Sequence, residues 1–179
     1  MSLRWLLIAL LVSLSPFASA AAPVQLRMGL GLENRFAPEV NPDFLEMSQA
    51  PVLFQEVRFH PWTILAEFSM EKKTTASGGF EVRHRAIGTT LWGRYALGTD
   101  DRALPYLTAG AGLYRDHVGQ FFNGAVEERS GSRWQTGAGI GWERVLWRFL
   151  VVEAEGRATL VQNRRNPQLS VLVRAGVQF

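Results

Sequence analysis

Apolar and polar residues alternate strictly through the last segment of the chain. Leu169, Val171, Val173, Ala175, Val177 and Phe179 share one face of an extended strand, and Ser170, Arg174, Gly176 and Gln178 make up most of the other. The same period of two recurs upstream and predicts eight strands, at about 24–34, 50–60, 62–72, 83–98, 105–117, 132–144, 148–161 and 168–179. In the first, Val24, Leu26, Met28, Leu30 and Leu32 oppose Gln25, Arg27, Gly29, Gly31 and Glu33. The fifth sets Leu107, Ala109, Ala111 and Leu113 against Tyr106, Thr108, Gly110 and Gly112. The sixth sets Trp134, Ala138, Ile140 and Trp142 against Gln135, Gly137, Gly139, Gly141 and Glu143, and the seventh opposes Leu150, Val152, Ala154 and Leu160 to Glu153, Glu155, Arg157 and Thr159.

The second strand breaks the pattern. Val52 and Phe54 have the opposite parity from Val57 and Phe59, so a β-bulge near Phe54-Gln55 is expected if its apolar residues are to share one face. Without a bulge, the outer end of this strand is expected to stand above the hydrocarbon.

The strand lengths suit a tilted bilayer crossing, which takes roughly 9–11 residues. The connections alternate between a longer set, 35–49, 73–82, 118–131 and 162–167, and a shorter set at Pro61, 98–102 and 144–147. That asymmetry, with an even number of strands, predicts a closed antiparallel up-and-down transmembrane β-barrel with long loops outside and both termini in the periplasm. Apolar faces then meet lipid, and the glycine-rich polar faces line a narrow lumen. A soluble up-and-down barrel with an apolar interior is the rival, and it reverses both faces.

The start of the chain supplies the export route. Arg4 gives a positive n-region, Trp5 to Leu14 an apolar stretch and Ala18-Ser19-Ala20 a small-residue cleavage site. Residues 1–20 are therefore expected to be a signal peptide, with a mature barrel domain spanning 21–179. The apolar stretch is shorter than the roughly 20 residues of a spanning helix. A mean hydropathy of −0.01 fits barrel strands, in which only alternate residues must be apolar.

Composition removes other classes. Cysteine is absent, so no disulfide framework is available, and a net charge of +3 is too small and scattered for a nucleic-acid surface. Lys72 and Lys73 are the only lysines, whereas soluble β-proteins cover faces and edges with Lys and Glu.

Trp62, Tyr95, Trp142, Trp147 and Phe179 fall at predicted periplasmic strand ends, with Phe68 and Trp134 toward the outer ends. Amphipathic rings suit the two bilayer interfaces. The predicted lumen carries Arg27, Arg58, Arg94, Arg157 and Arg174 with Glu56, Glu67, Glu143, Glu153 and Glu155, a balanced set expected to neutralise itself in a structural network. A selective pore would show an excess of one sign. In the natural register of the last hairpin, Glu155 is expected opposite Arg174.

The chain resembles the small eight-stranded outer-membrane barrels of the OmpA-transmembrane-domain and OmpX type. The resemblance lies in strand count, loop asymmetry, the stretches Pro105 to Leu113 and Gly137 to Trp142, and the terminal Val177-Gln178-Phe179. It implies that Phe179 serves as the signal for the barrel-assembly machinery. It also implies a monomer among outer-membrane lipids and lipopolysaccharide, with no cofactor. A peptidoglycan-binding domain does not follow, so tethering to the cell wall is not expected.

Two further functions remain open at this point, a small porin and a lipid-modifying enzyme. An acyl transferase needs His with Ser and an acid. Of His60, His84 and His117, the last two approach the outer rim with Asp116, Ser130 and Ser132, but the His-x-Ser arrangement associated with lipid A deacylase barrels is absent. No metal cluster or phosphate loop is legible, and Asp100-Asp101 reads as turn chemistry. Lys72-Lys73 and Arg164-Arg165 fall where strands meet outer loops, positioned either for lipopolysaccharide phosphates or simply for water. The outer loops, with Phe36, Phe44, Leu45 and Met47 beside Glu39, Asp43 and Glu46, and with Phe121, Phe122, Glu127, Glu128 and Arg129, are the expected contact surface.

Overall fold

Eight strands form along the predicted segments: β1 Gln25–Pro38, β2 Leu45–Phe59, β3 Trp62–Ser77, β4 Phe80–Ala96, β5 Ala103–Phe122, β6 Ala125–Val145, β7 Leu150–Val161 and β8 Gln168–Gln178. The computed structural model describes residues 24–38, 45–77, 80–99, 103–122, 125–163 and 166–179. The predicted signal segment, the Asp100-Asp101 turn and Arg164-Arg165 lie outside the described residues. Every strand pairs antiparallel with the next, and β1 pairs with β8 from Arg27↔Gln178 to Phe36↔Leu169, closing the barrel. Closure leaves no open edge through the crossing, the condition for strands in hydrocarbon.

Alternation sorts the side chains as expected of a transmembrane barrel. Leu30, Ile140 and Leu91 are 67%, 60% and 58% exposed on the outer wall, while Arg27, Glu56 and Arg174 are at most 2% exposed inside. These faces rule out the soluble barrel with an apolar interior.

Three local expectations are corrected. β2 has no bulge, because its pairing with β1 runs unbroken from Gln25↔Arg58 to Pro38↔Leu45. Val52 and Phe54 instead point inward and are buried, leaving Gln55 half-buried on the outward parity. Their burial inside the barrel replaces the contact with lipid that a bulge would have restored. In the last hairpin Glu153, not Glu155, lies opposite Arg174, and Glu155 faces Leu172. A shift of two residues keeps every side chain on its face, so the alternation that marks the faces does not determine it.

The third correction concerns the outer loops. Much of 35–49, 73–82 and 118–131 is strand, and β5 and β6 run to 20 and 21 residues, about twice a bilayer crossing. β7 joins β6 only from Gln135↔Val161 downward, and β2 joins β3 only from Val52↔Ser69 downward. The upper parts of β3, β4, β5 and β6 therefore form a four-stranded sheet rising above the rim, bounded by β3 from Met70 upward and by β6 over 125–133.

Candidate functional site

Period-two alternation points six arginines and seven glutamates into the barrel: Arg27, Arg35, Arg58, Arg94, Arg157 and Arg174, and Glu33, Glu56, Glu67, Glu71, Glu143, Glu153 and Glu155, all buried. They form three tiers. In the lowest, Arg27 Nη1 donates to Glu56 Oε1 at 3.0 Å and to Glu143 Oε2 at 3.1 Å, and Arg58 Nη1 donates to Glu143 Oε1 at 2.5 Å. Arg94 continues upward, donating to Glu56 Oε2 at 3.0 Å and to Glu153 Oε2 at 3.0 Å.

In the middle tier Arg157 donates from Nη1 and Nη2 to the two oxygens of Glu67, at 2.5 and 2.7 Å, and from Nε to Glu155 at 2.5 Å. Arg174 reaches both Glu67 and Glu155, and its Nε lies 3.0 Å from Glu153 Oε2. Although Glu155 is not its register partner, Arg174 meets it by leaning along the strand. The upper tier joins Arg35 to Glu33 at 2.7 Å, Glu71 at 3.1 Å and Ser69 at 3.0 Å. The sequence pattern puts Arg35 in a loop and omits Glu33 and Glu71 from the expected network. All three share the inward parity of their strands.

Aromatic rings separate the charges. Phe54, Leu65 and Trp92 form a buried apolar cluster, and guanidinium groups lie over the rings. Arg157 Cζ sits 4.1 Å from the Trp92 centroid, Arg94 4.6 Å from Tyr106, Arg174 5.4 Å from Phe54 and Arg35 5.9 Å from Tyr114. Desolvated cations gain from such ring faces. Glycines make the room: a Cβ at Gly141 would fall 2.4 Å from the Tyr106 ring, and one at Gly110 would fall 2.5 Å from Trp92. A cavity of about 20 Å³ between the middle and upper tiers has room for about one water.

Glu56, Glu143 and Glu153 bring carboxylate oxygens within 4.8 Å of one another, a spacing a metal ion can use. Arg27, Arg58 and Arg94 already bind these carboxylates and neutralise them, so the donor set fits an ion poorly.

At the end with the short turns, Trp62 and Tyr95 pack edge to face with centroids 4.9 Å apart, and Trp142, Trp147 and Phe149 point outward. Phe179 is 74% exposed, and its N–H donates to the Leu26 carbonyl of β1 at 2.9 Å. Trp134 faces outward at the opposite end of the apolar belt, opposite Leu113.

Above that belt, cross-strand pairing aligns exposed Lys72, Arg85 and His117 in a row on β3, β4 and β5, with Arg115 two residues lower, opposite Ile87. Ser130 lies opposite His117, and His117 Nε2 is 3.7 Å from Glu128. The hydrogen bonds of the described residues do not join His117 to Ser130, and all three side chains are exposed, so the proton relay that activates a serine is not assembled. His60 is exposed in the β2–β3 turn, and His84 stands half-buried on the inward parity of β4.

No protein-family model and no curated protein matches this sequence. Solved structures with the same fold do exist. The crystal structure of a major outer membrane protein from Thermus thermophilus superposes with a TM-score of 0.65 at 8% identity, covering 87% of this chain and 99% of that one. Ail, the attachment invasion locus protein of Yersinia pestis, gives 0.58 at 14% identity over 87% and 97%. Neisserial surface protein A gives 0.57 at 16% identity over 87% and 95%. The chain thus has the fold of the small eight-stranded outer-membrane barrels, with its lumen filled by paired charges and rings.

Proposed function

We propose that this chain is an integral outer-membrane protein in which a plugged barrel serves as scaffold for contacts made at the outer surface. The observation that carries this reading is the pairing of an apolar outer wall with a charged interior, crowned by a sheet that rises above the rim. Burial of so many charges has no use in a soluble protein, but a small barrel in lipid must place its polar side chains inside. Phe179 is the residue we assign to recognition by the barrel-assembly machinery. The outward aromatics Trp62, Tyr95, Trp134, Trp142 and Trp147 are assigned to the two interfaces.

Lys72, Arg85 and Arg115 stand just above Met70, Ile87 and Leu113 on the outer wall, and we assign them to contact with lipid phosphates. Neutralising all three to Gln is expected to weaken retention of lipopolysaccharide by about 1 kcal/mol per charge, read as co-purified or titrated lipopolysaccharide on the folded monomer. The β6 edge over 125–133 carries Glu127, Glu128, Arg129 and Arg133, charges that discourage indiscriminate strand pairing and leave a selective surface. The attachment protein among the structural neighbours accords with such a surface role.

Cysteine labelling in liposomes tests the placement. Leu113→Cys is expected to resist a water-soluble maleimide and to respond to a lipid-borne quencher, whereas Ser130→Cys labels freely. Equal labelling of both from water would sink the proposal. The plugged lumen further predicts no stable conductance in planar bilayers, and a sizeable conductance would favour a small porin.

A further inference from the structure

The short-turn end of the barrel opens into a vestibule of about 650 Å³, a size typical of small-ligand sites. Four guanidinium groups, from Arg27, Arg58, Arg144 and Arg148, line it together with Gln25 and Gln178, and no carboxylate is among its lining residues. Of the four, Arg27 is bound to Glu56 and Glu143 and Arg58 to Glu143. Arg144 and Arg148 are exposed and bind no carboxylate among the described residues. Positive charge therefore exceeds negative charge at this mouth, although the network above it is nearly balanced.

One buried donor has unmet capacity: Arg27 is 2% exposed, yet its Nε has no hydrogen-bond partner. A buried donor without a partner is costly, and a guanidinium lacking one matches an oxyanion in both charge and geometry. Low-dielectric walls around like charges also concentrate the field that draws an anion in. We propose that this vestibule is a binding site for a compact multivalent oxyanion, with Arg144 and Arg148 capturing it and Arg27 and Arg58 forming the floor. Phosphate and carboxylate groups share the required chemistry. That the mouth opens to the periplasm rests on the orientation proposed above, whereas the site itself does not.

The test titrates the folded full-length mature chain, in uncharged detergent micelles at low salt, with inorganic tripolyphosphate and separately with citrate. Saturable binding is expected for at least one of them, with displacement of the Arg144 and Arg148 Nε–H resonances. A preference for tripolyphosphate assigns phosphate ligands, and a preference for citrate assigns carboxylates. The Arg144→Gln, Arg148→Gln double variant is expected to weaken binding about tenfold or more while keeping the heat-modifiable folded band. Arg129→Gln, at the opposite end of β6 and paired with Glu127, is expected to leave it unchanged. Absence of binding by both anions, or loss of binding only in the Arg129→Gln variant, would overturn the site. Accessibility of Arg148→Cys on intact cells is a separate measurement, and labelling there would overturn the orientation while leaving the site standing.

Discussion

Arg174→Ala is expected to lower the unfolding free energy of the barrel by about 3–5 kcal/mol, the cost of breaking a buried ion pair from one side. Arg174 is 1% exposed and, among the described residues, is the one cation that reaches Glu67, Glu153 and Glu155 together. Its removal leaves Glu155 with Arg157, Arg94 and the Tyr106 hydroxyl, and leaves three carboxylates to share fewer positive groups in a medium that screens them weakly. Reversible urea unfolding in micelles reads the loss. A double-mutant cycle with Glu155→Gln should recover part of it, since the second change removes the stranded charge. A loss below about 1 kcal/mol would mean that the interior is wet enough to screen the network.

Trp92→Ala should cost a comparable amount, about 3–5 kcal/mol, because a ring of this size leaves a cavity that rigid strands cannot close. Trp92 packs with Phe54 and Leu65 and carries the Arg157 guanidinium on its face. Trp92→Phe should cost less, since the apolar cluster is largely retained. Gly110→Val acts on the same contact from the other side, because its Cβ would meet both Trp92 and the Leu91 carbonyl at 2.5 Å. Unfolding of both variants in parallel checks the claim, and equal stability of Trp92→Ala and wild type would refute it.

The crossing segments are legible because a chain in lipid must alternate, and Leu30, Ile140, Arg94 and Glu153 each follow that rule. Above the rim both faces of the sheet meet water, so selection for alternation stops. Val118 to Phe122 therefore read as a loop while pairing as strand with Phe80 to His84. Phe54 and Trp92 are hidden for a different reason. Apolar residues are expected to seek lipid, yet both share parity with charged neighbours, Phe54 with Glu56 and Trp92 with Arg94. Parity alone places them inside. The pairing of Glu67 with Arg157 across the lumen has no local signal, since it depends on the stagger of the closed sheet.

Closure carries a consequence for the order of assembly. Arg27↔Gln178 unites nearly the two ends of the described chain, while every other strand pairing joins sequence neighbours. Hairpins can form early at small loop entropy, but this last seam must wait for the whole polypeptide. The trans-lumen contacts have similarly long reach: Arg174 to Glu67 spans 107 residues and Arg27 to Glu143 spans 116. Before the seam zips, only partners within one hairpin are in reach, such as Glu56 for Arg27 and Glu153 for Arg174, and the cross-lumen pairs stay open and hydrated. Joining the first and last strands thus dehydrates the interior and completes its cross-lumen pairing together, which makes the half-closed sheet a high-energy species and the finished cylinder slow to reopen.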